Sequence, residues 1–122
     1  MTVNQDINSL NLKEKYINKI KECIDYLNRL DIDIVEVILF GSCARNKTHL
    51  GSDVDLLVLT RQKLDRITRG LAYADLCYPL NGVNADIVFS KYDDFYEEAN
   101  VRLYDQIKKE GVILWQEKVI TR

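Results

Sequence analysis

The sequence predicts an α/β fold in which a single mixed sheet of about four strands is flanked by helices. Four short runs rich in Val, Ile and Leu alternate along the chain with longer amphipathic stretches. The 122 residues include only one proline and five glycines, which favours regular elements over long loops. Apolar residues make up 47% and charged residues 30%, the balance of a globular protein rather than a disordered one.

The first helix is predicted over residues 10–30. Asn11 is expected to cap it, with Glu14 three positions later as in a capping box. Lysines and glutamates occupy one side of this stretch, so the other side is the predicted buried face. That face consists of Ile17, Ile20, Ile24, Leu27 and Leu30.

Two strands and a short helix are predicted next. The β-branched run Ile34–Phe40 has strand length and ends at Gly41. A short helix is expected to begin with Ser42 as its N-cap residue and to end before Gly51. Residues 53–59 are nearly continuous in Val and Leu, which predicts a strand buried on both faces.

The second half of the chain repeats this alternation. A helix is predicted over 62–78, a turn at 81–82, a strand over 83–89, a helix over 92–109 and a last short strand over 112–115. The predicted buried face of the 62–78 helix consists of Leu64, Ile67, Leu71, Ala74 and Tyr78.

Length and charge narrow the class of protein. We expect one domain over 1–122, with its core at about 10–115, because 122 residues leave no room for two cores. No apolar run approaches the roughly 20 residues that span a bilayer, and no signal peptide is evident, so we expect a cytoplasmic protein. The net charge of −2 argues against strong nucleic-acid binding. The three cysteines have no metal-site spacing and are expected to be reduced.

Three aspartates form the candidate catalytic and metal-binding set. Asp53 and Asp55 stand two apart at the head of a predicted strand, so their side chains leave on the same face. Two carboxylates that close repel each other unless a divalent cation lies between them, and oxygen ligands suit Mg²⁺ or Mn²⁺. Asp86 stands in the otherwise apolar run 85–89. If its strand neighbours that of Asp55, the three carboxylates can hold two metal ions.

Gly41 and Ser42 form a candidate phosphate-binding turn. A glycine between strand and helix permits close backbone approach, and the first turn of a helix offers unpaired N–H groups to phosphate. Arg45, Lys47 and Lys63 could each offset triphosphate charge, and the sequence does not rank them.

This conjunction resembles the nucleotidyltransferase superfamily of DNA polymerase beta. The shared pattern is Gly-Ser, ten intervening residues and Asp-x-Asp, here Gly41-Ser42 and Asp53-Val54-Asp55. Residues 41–46 match the family's Gly-Ser-x-Ala-Arg-Gly except that Asn46 replaces the last glycine, a residue that also tolerates left-handed backbone angles. The resemblance covers about residues 10–115. It is closest to minimal members that lack a helical substrate-binding domain.

The resemblance implies a palm-like fold and a metal-dependent transfer of NMP, with AMP from ATP the leading choice, to a hydroxyl. Asp53 and Asp55 would hold both metals, and Asp86 would ligate the catalytic metal and help to deprotonate or orient the acceptor. Gly41 and Ser42 would bind the β- and γ-phosphates, with Arg45 as a further nucleotide contact. Minimal members often act as antitoxins that adenylylate a tyrosine of a helical HEPN protein, which is therefore the expected partner.

Two alternatives stay open at this level. The fold could serve as a catalytically silent nucleotide-binding cap that neutralises a partner by burial, although three clustered anions would bring such a cap no benefit. A receiver-like phosphoacceptor domain would need five regular βα units with its acidic residues at the ends of strands, whereas here Asp53 and Asp55 begin theirs. The sequence does not decide the acceptor, the base preference, the number of nucleotides transferred, the oligomeric state or the need for a partner.

Overall fold

A four-stranded mixed sheet organises the structure, a computed structural model that describes residues 6–49, 51–79, 82–97 and 101–117. The strands are β1 (Ile34–Phe40), β2 (Val54–Thr60), β3 (Ala85–Lys91) and β4 (Val112–Gln116). They lie in the order β3-β2-β1-β4. β1 runs antiparallel to both β2 and β4, whereas β2 and β3 are parallel. The predicted fold class is therefore confirmed.

Helices cover both faces of this sheet. They are α1 (Glu14–Arg29), α2 (Gly41–Ala44), α3 (Arg66–Leu76), α4 (Tyr92–Glu97) and α5 (Arg102–Glu110), with a 3-10 turn at Ile7–Ser9. Side chains of α1 and α3 pack on one face, and Phe95 of α4 and Ile107 of α5 pack on the other. No helix in the described ranges combines the length and apolar character needed to cross a membrane.

Strand β2 is the centre of the core and follows the predicted pattern. Val54, Leu56 and Val58 pack toward α1 and α3, whereas Leu57 and Leu59 pack toward α4 and α5. All five are fully buried, because helices cover both faces of the sheet. Asp55 is the one residue of β2 that is not fully buried.

Two predicted helix starts are wrong. Helix α1 begins at Glu14 after Lys13, which makes no side-chain cap, so Asn11 does not cap the helix. The residues before it form the 3-10 turn instead, capped by Asp6. Helix α3 begins at Arg66 rather than residue 62, because the Asp65 side chain accepts a hydrogen bond from the Thr68 N–H and fixes the first turn there.

The predicted buried face of α3 is also wrong. Ile67 and Leu71 are 76% and 59% exposed, and Tyr78, beyond the end of the helix, is 44% exposed. The helix instead buries Ala72 and Leu76, which lie one turn apart. The small Ala72 lets α3 approach the sheet closely, a possibility that a pattern of large apolar residues does not reveal.

The last predicted helix and third strand differ from the prediction as well. Residues 92–109 do not form one continuous helix, because Val101 has an extended backbone between α4 and α5. Residues 98–100 lie outside the described residues, as does Asn81 of the predicted turn. Gly82 of that turn has a φ of +81°. β3 begins two residues later than predicted, at Ala85.

Two fully buried charged side chains, Lys19 and Glu36, lie away from the ends of β2 and β3 and have close partners. The fully buried Lys19 Nζ donates to Glu22 Oε1 at 2.6 Å and to the Tyr78 carbonyl at 2.8 Å. Glu36, also fully buried, accepts from Tyr96 and Gln116 side chains, each at 2.5 Å. These bonds compensate the desolvation of the charged groups.

Candidate active site

The three candidate aspartates lie at the beginning of the parallel pair β2 and β3. Asp55 is the second residue of β2 and pairs in register with Asp86 of β3. Neighbouring strands lie about 4.8 Å apart, so the two carboxylates leave from adjacent points of the same sheet face. Asp53 immediately precedes β2 rather than starting it, and is exposed. The adjacency of the two strands, on which the predicted grouping depended, is thus present.

The pKa of Asp55 reflects its burial and the negative charges around it. Burial is the largest cause that raises its pKa, followed by the charge of Asp86 and then that of Asp53, while Arg45 lowers it. Together they raise the pKa of Asp55 from 3.8 to about 6. A carboxyl group in this environment gains from any cation that approaches it.

Gly41 is fixed by its contact with the same carboxylate. It follows Phe40, the β1 residue that pairs with Asp55 of β2. Its φ of +74° is a left-handed value that favours glycine. A Cβ atom at this position would lie 2.2 Å from Asp55 Oδ2, so a side chain cannot be added unless Asp55 moves. Backbone and carboxylate are therefore in close contact at the strand-to-helix turn.

Ser42 and Cys43 lie within the short helix α2. The helix begins at Gly41 with Phe40 as its N-cap, so the prediction that Ser42 caps it is wrong. Cys43 is buried, and its Sγ donates to the Asp53 carbonyl at 3.5 Å. Burial, Asp55 and then Asp53 raise the pKa of the Cys43 thiol to about 11, so it stays protonated. This thiol links the turn at Gly41 to the segment that carries the aspartates.

Of the three predicted phosphate-binding cations, Arg45 is the one that the structure brings near the aspartates. Its guanidinium forms a salt bridge of 3.0 Å with Glu110 of α5, and its charge acts on Asp55. Lys47 is exposed in the segment that follows α2. Lys63 lies beyond the far end of β2, so the structure does not support its predicted place at the site.

Sequence reasoning missed the residues that shape the loop before Asp53. The His49 N–H donates to Ser52 Oγ at 2.8 Å, and the Ser52 N–H donates to the His49 carbonyl at 2.9 Å. The Tyr16 hydroxyl of α1 donates to that same carbonyl at 3.3 Å. A serine preceding Asp-x-Asp was the available signal, since serine side chains often bond to nearby backbone groups.

The donor set fits hard divalent cations, although the described residues contain no ready-made cage of three or more ligating side chains. Asp53, Asp55 and Asp86 offer only carboxylate oxygens, which Mg²⁺ and Mn²⁺ prefer. Burial and the neighbouring charges of Asp86 and Asp53, which together raise the pKa of Asp55, are the observation that argues for such an ion.

Comparison with known proteins identifies the family. The family model of the nucleotidyltransferase domain matches residues 17–116. A solved structure of a toxin–antitoxin with AMP-PNP is 27% identical, with a TM-score of 0.59, and the match covers 83% of this chain and 73% of that one. A structure of the toxin–antitoxin MntA–HepT is 25% identical, with a TM-score of 0.52 and coverages of 83% and 70%.

A third structure is a tri-AMPylated Shewanella oneidensis HEPN toxin in complex with its MNT antitoxin, at 22% identity, TM-score 0.51 and coverages of 83% and 70%. At that identity it shows the fold alone. No curated protein gives a significant match. Because the family model spans most of the chain and its fold is the one described above, the chain belongs to the nucleotidyltransferase domain family.

Proposed function

We propose that this protein is a metal-dependent nucleotidyltransferase that moves AMP from ATP onto a hydroxyl group. One observation carries the proposal: Asp55 lies in register with Asp86 and in contact range of Gly41. That contact places a carboxylate pair beside a turn whose backbone can approach a phosphate chain. The family membership supplies the reaction class.

Each residue has a distinct role in this proposal. Asp53, Asp55 and Asp86 would hold two Mg²⁺ ions, which when bound supply electrostatic stabilisation of the charge on the α-phosphate and leaving diphosphate. Asp86, exposed at the edge of the set, would accept or orient the proton of the attacking hydroxyl. Gly41 and Ser42 would orient the β- and γ-phosphates, and Arg45 would contact them after leaving Glu110.

The proposed acceptor is a tyrosine hydroxyl of a helical HEPN-type toxin, and the protein would act as its cytoplasmic antitoxin. Two solved toxin–antitoxin structures of at least 25% identity support this, one of which contains AMP-PNP. The HEPN toxin in the more distant complex is tri-AMPylated. In this proposal the partner supplies the acceptor hydroxyl.

The test is transfer of label from ATP carrying ³²P at the α-position to the purified partner toxin, with Mg²⁺ and without it. Asp86→Asn removes the proposed proton acceptor and is expected to lower transfer by about 10³-fold or more. Asp31→Asn is the matched control, because Asp31 and Asp33 repeat the Asp-x-Asp spacing on an exposed segment before β1. It should transfer label at the wild-type rate.

Two outcomes contradict the proposal in different ways. Absence of label on the partner and on the protein itself with either Mg²⁺ or Mn²⁺ would refute nucleotide transfer. If Asp86→Asn still neutralised the toxin while transferring no label, the protein would act as a silent cap that buries its partner's surface.

A further inference from the structure

A second polar cavity lies at the opposite end of β2 and β3 from the aspartates. Its volume is about 180 Å³, and Thr60 and Lys91, the last residues of the two strands, line it. Five residues of strand separate Asp55 from Thr60, which corresponds to about 16 Å. The cavity is therefore a different site from the one proposed for catalysis. Crevices at the carboxyl ends of parallel strands are common ligand sites.

Three cations line this cavity, and the charge of one of them, Arg69, acts on the Asp65 carboxylate and the Tyr73 hydroxyl. The three cations are Lys63, Arg69 and Lys91. Within the described ranges none of them forms a salt bridge, whereas Arg61, next to the cavity in sequence, binds Asp33 and Glu117 at 2.9 and 2.7 Å. Asp94 is the carboxylate in the lining, so positive charges outnumber negative ones by three to one.

The clearest sign of a missing ligand is the Arg69 side chain. Its Nε is buried and has no hydrogen-bond partner among the described residues. A buried N–H of a charged group that lacks an acceptor is costly, and such groups are normally satisfied. Helix α3 holds this arginine against the cavity through the cap at Asp65 and the buried Ala72. An acceptor oxygen placed in the cavity would satisfy it.

Hydroxyl groups complete a lining suited to oxygen-rich ligands. Ser90 Oγ and Tyr104 OH lie 3.0 Å apart, and both residues line the cavity. Ser90 Oγ also lies 3.4 Å from the Lys91 carbonyl oxygen as a donor, so the Tyr104 proton can point at a ligand when Ser90 donates to Tyr104. A volume of about 180 Å³ is enough for a small anion.

We propose that this cavity binds a phosphate or diphosphate group of a small ligand through Lys63, Arg69 and Lys91. Phosphate offers several acceptor oxygens and two or more negative charges, which match three cations and a buried guanidinium N–H. A small ligand is favoured over nucleic acid because the chain's net charge is −2 and the cations converge on a cavity rather than along a surface.

Inorganic diphosphate is the first probe, titrated into the ¹⁵N-labelled full chain in EDTA and followed by amide NMR shifts. EDTA suppresses metal-dependent binding at the aspartates. Saturable shifts are expected at Ser90, Lys91 and Arg69, and weaker ones with inorganic phosphate. Lys91→Gln and Lys63→Gln should each weaken diphosphate binding by about ten-fold, the loss of one charged hydrogen bond. Arg66→Gln, on the same helix outside the cavity, should leave it unchanged.

The controls separate this proposal from its rivals. Shifts confined to Gly41 and Ser42 would overturn it, as would equal affinities of the wild type and both lysine variants. Binding of a short single-stranded RNA in preference to diphosphate, with shifts spread beyond the cavity, would also overturn it. Because Lys63 is exposed and Lys91 is partly exposed at the end of β3, the variants should keep the wild-type amide spectrum elsewhere.

Discussion

The two ends of the parallel pair β2 and β3 carry opposite charges. At the start of the strands Asp53, Asp55 and Asp86 gather negative charge, and at their far end Lys63, Arg69 and Lys91 gather positive charge. Burial, followed by the charges of Asp86 and Asp53, raises the pKa of Asp55. At the cationic end the buried Nε of Arg69 has no hydrogen-bond partner in the part of the chain that the structure describes.

Two buried charged side chains elsewhere in the molecule differ from those at the strand ends in their hydrogen-bond partners. Lys19 and Glu36 are fully buried, yet each has two partners within hydrogen-bond distance. Charges that stabilise a fold are neutralised within it, because desolvation without compensation is costly. Charges that await a ligand are not. The two strand ends therefore differ from these structural charges in the way that the proposed cation site and the proposed anion site require.

The largest effect is expected from Gly41→Ala at the acidic end. The new Cβ would displace the Asp55 carboxylate, and alanine is strained at a φ of +74°. We expect transfer activity to fall by about 10²-fold or more and stability to fall by about 1–3 kcal/mol. Gly82→Ala is the matched control, since its φ is +81° and its Cβ would meet nothing within 4 Å. Denaturant unfolding measures the backbone strain that both variants share, and the label-transfer assay measures the displacement of Asp55 that is expected only in Gly41→Ala. Equal transfer activities of the two variants would contradict the contact between Gly41 and Asp55.

Next in size is the contrast between a paired and an unpaired lysine. Lys19→Met leaves Glu22 and the Tyr78 carbonyl without their buried donor, and we expect a loss of about 2 kcal/mol. Lys91→Met removes no salt bridge, and the change should be below about 0.5 kcal/mol. Urea denaturation measures both. Similar losses would mean that Lys91 is a structural charge after all.

A smaller change in stability is expected from Asp55→Asn, and this substitution should stabilise the protein. Burial and the charges of Asp86 and Asp53 raise its pKa from 3.8 to about 6, so the contribution of this carboxyl group to stability is fully present below about pH 4 and is lost as the pH rises through about 6. After discounting for its half-exposed side chain, we expect the variant to be about 1 kcal/mol more stable at pH 7 in EDTA. Thermal unfolding between pH 4 and 8 tests this. A wild type whose stability does not fall over this range would contradict it, and added Mg²⁺ should narrow the gap.

The smallest effect is expected from Asn46→Gly, at the position where the chain departs from the family pattern. Its φ of 56° is left-handed, which asparagine tolerates. Asn46→Gly should therefore change stability by less than about 0.5 kcal/mol, whereas Asn46→Val should cost about 1–2 kcal/mol. Transfer activity should stay within two-fold for the glycine variant. A larger loss would mean that the asparagine side chain itself contributes to the turn.

The strands and the aspartates could be predicted because their signals are local. A mostly apolar run of strand length, such as that of β2, predicts a buried strand. Asp55 and Asp86 are recognisable because each is a charged residue within such a run. The left-handed backbone of Asn46, which the sequence allowed, is present in the structure. The antiparallel and parallel pairings that bring Gly41, Asp55 and Asp86 together depend on the whole sheet.

What the sequence could not provide depends on long-range packing. The buried face of α3 follows from how closely Ala72 lets the helix approach the sheet, and no periodicity within the helix encodes that distance. Lys63 stands near Asp55 in sequence but at the other end of the strand in space. Likewise, the grouping of Arg69 with Lys91 joins a helix to a strand that lies some twenty residues later.

Asp55 pairs in register with Asp86, so the strand register that buries the core is also the one that brings the two carboxylates together. A slip of one residue between β2 and β3 would turn every side chain of one strand to the opposite face and drive a carboxylate into the apolar layer beneath α1 and α3. The hydrophobic pattern of the two strands therefore favours the register that the site requires. A molecule with misaligned strands would be unstable, because its core would contain a carboxylate. Evolution can therefore silence this chain by exchanging one aspartate, without having to redesign the scaffold that aligned it.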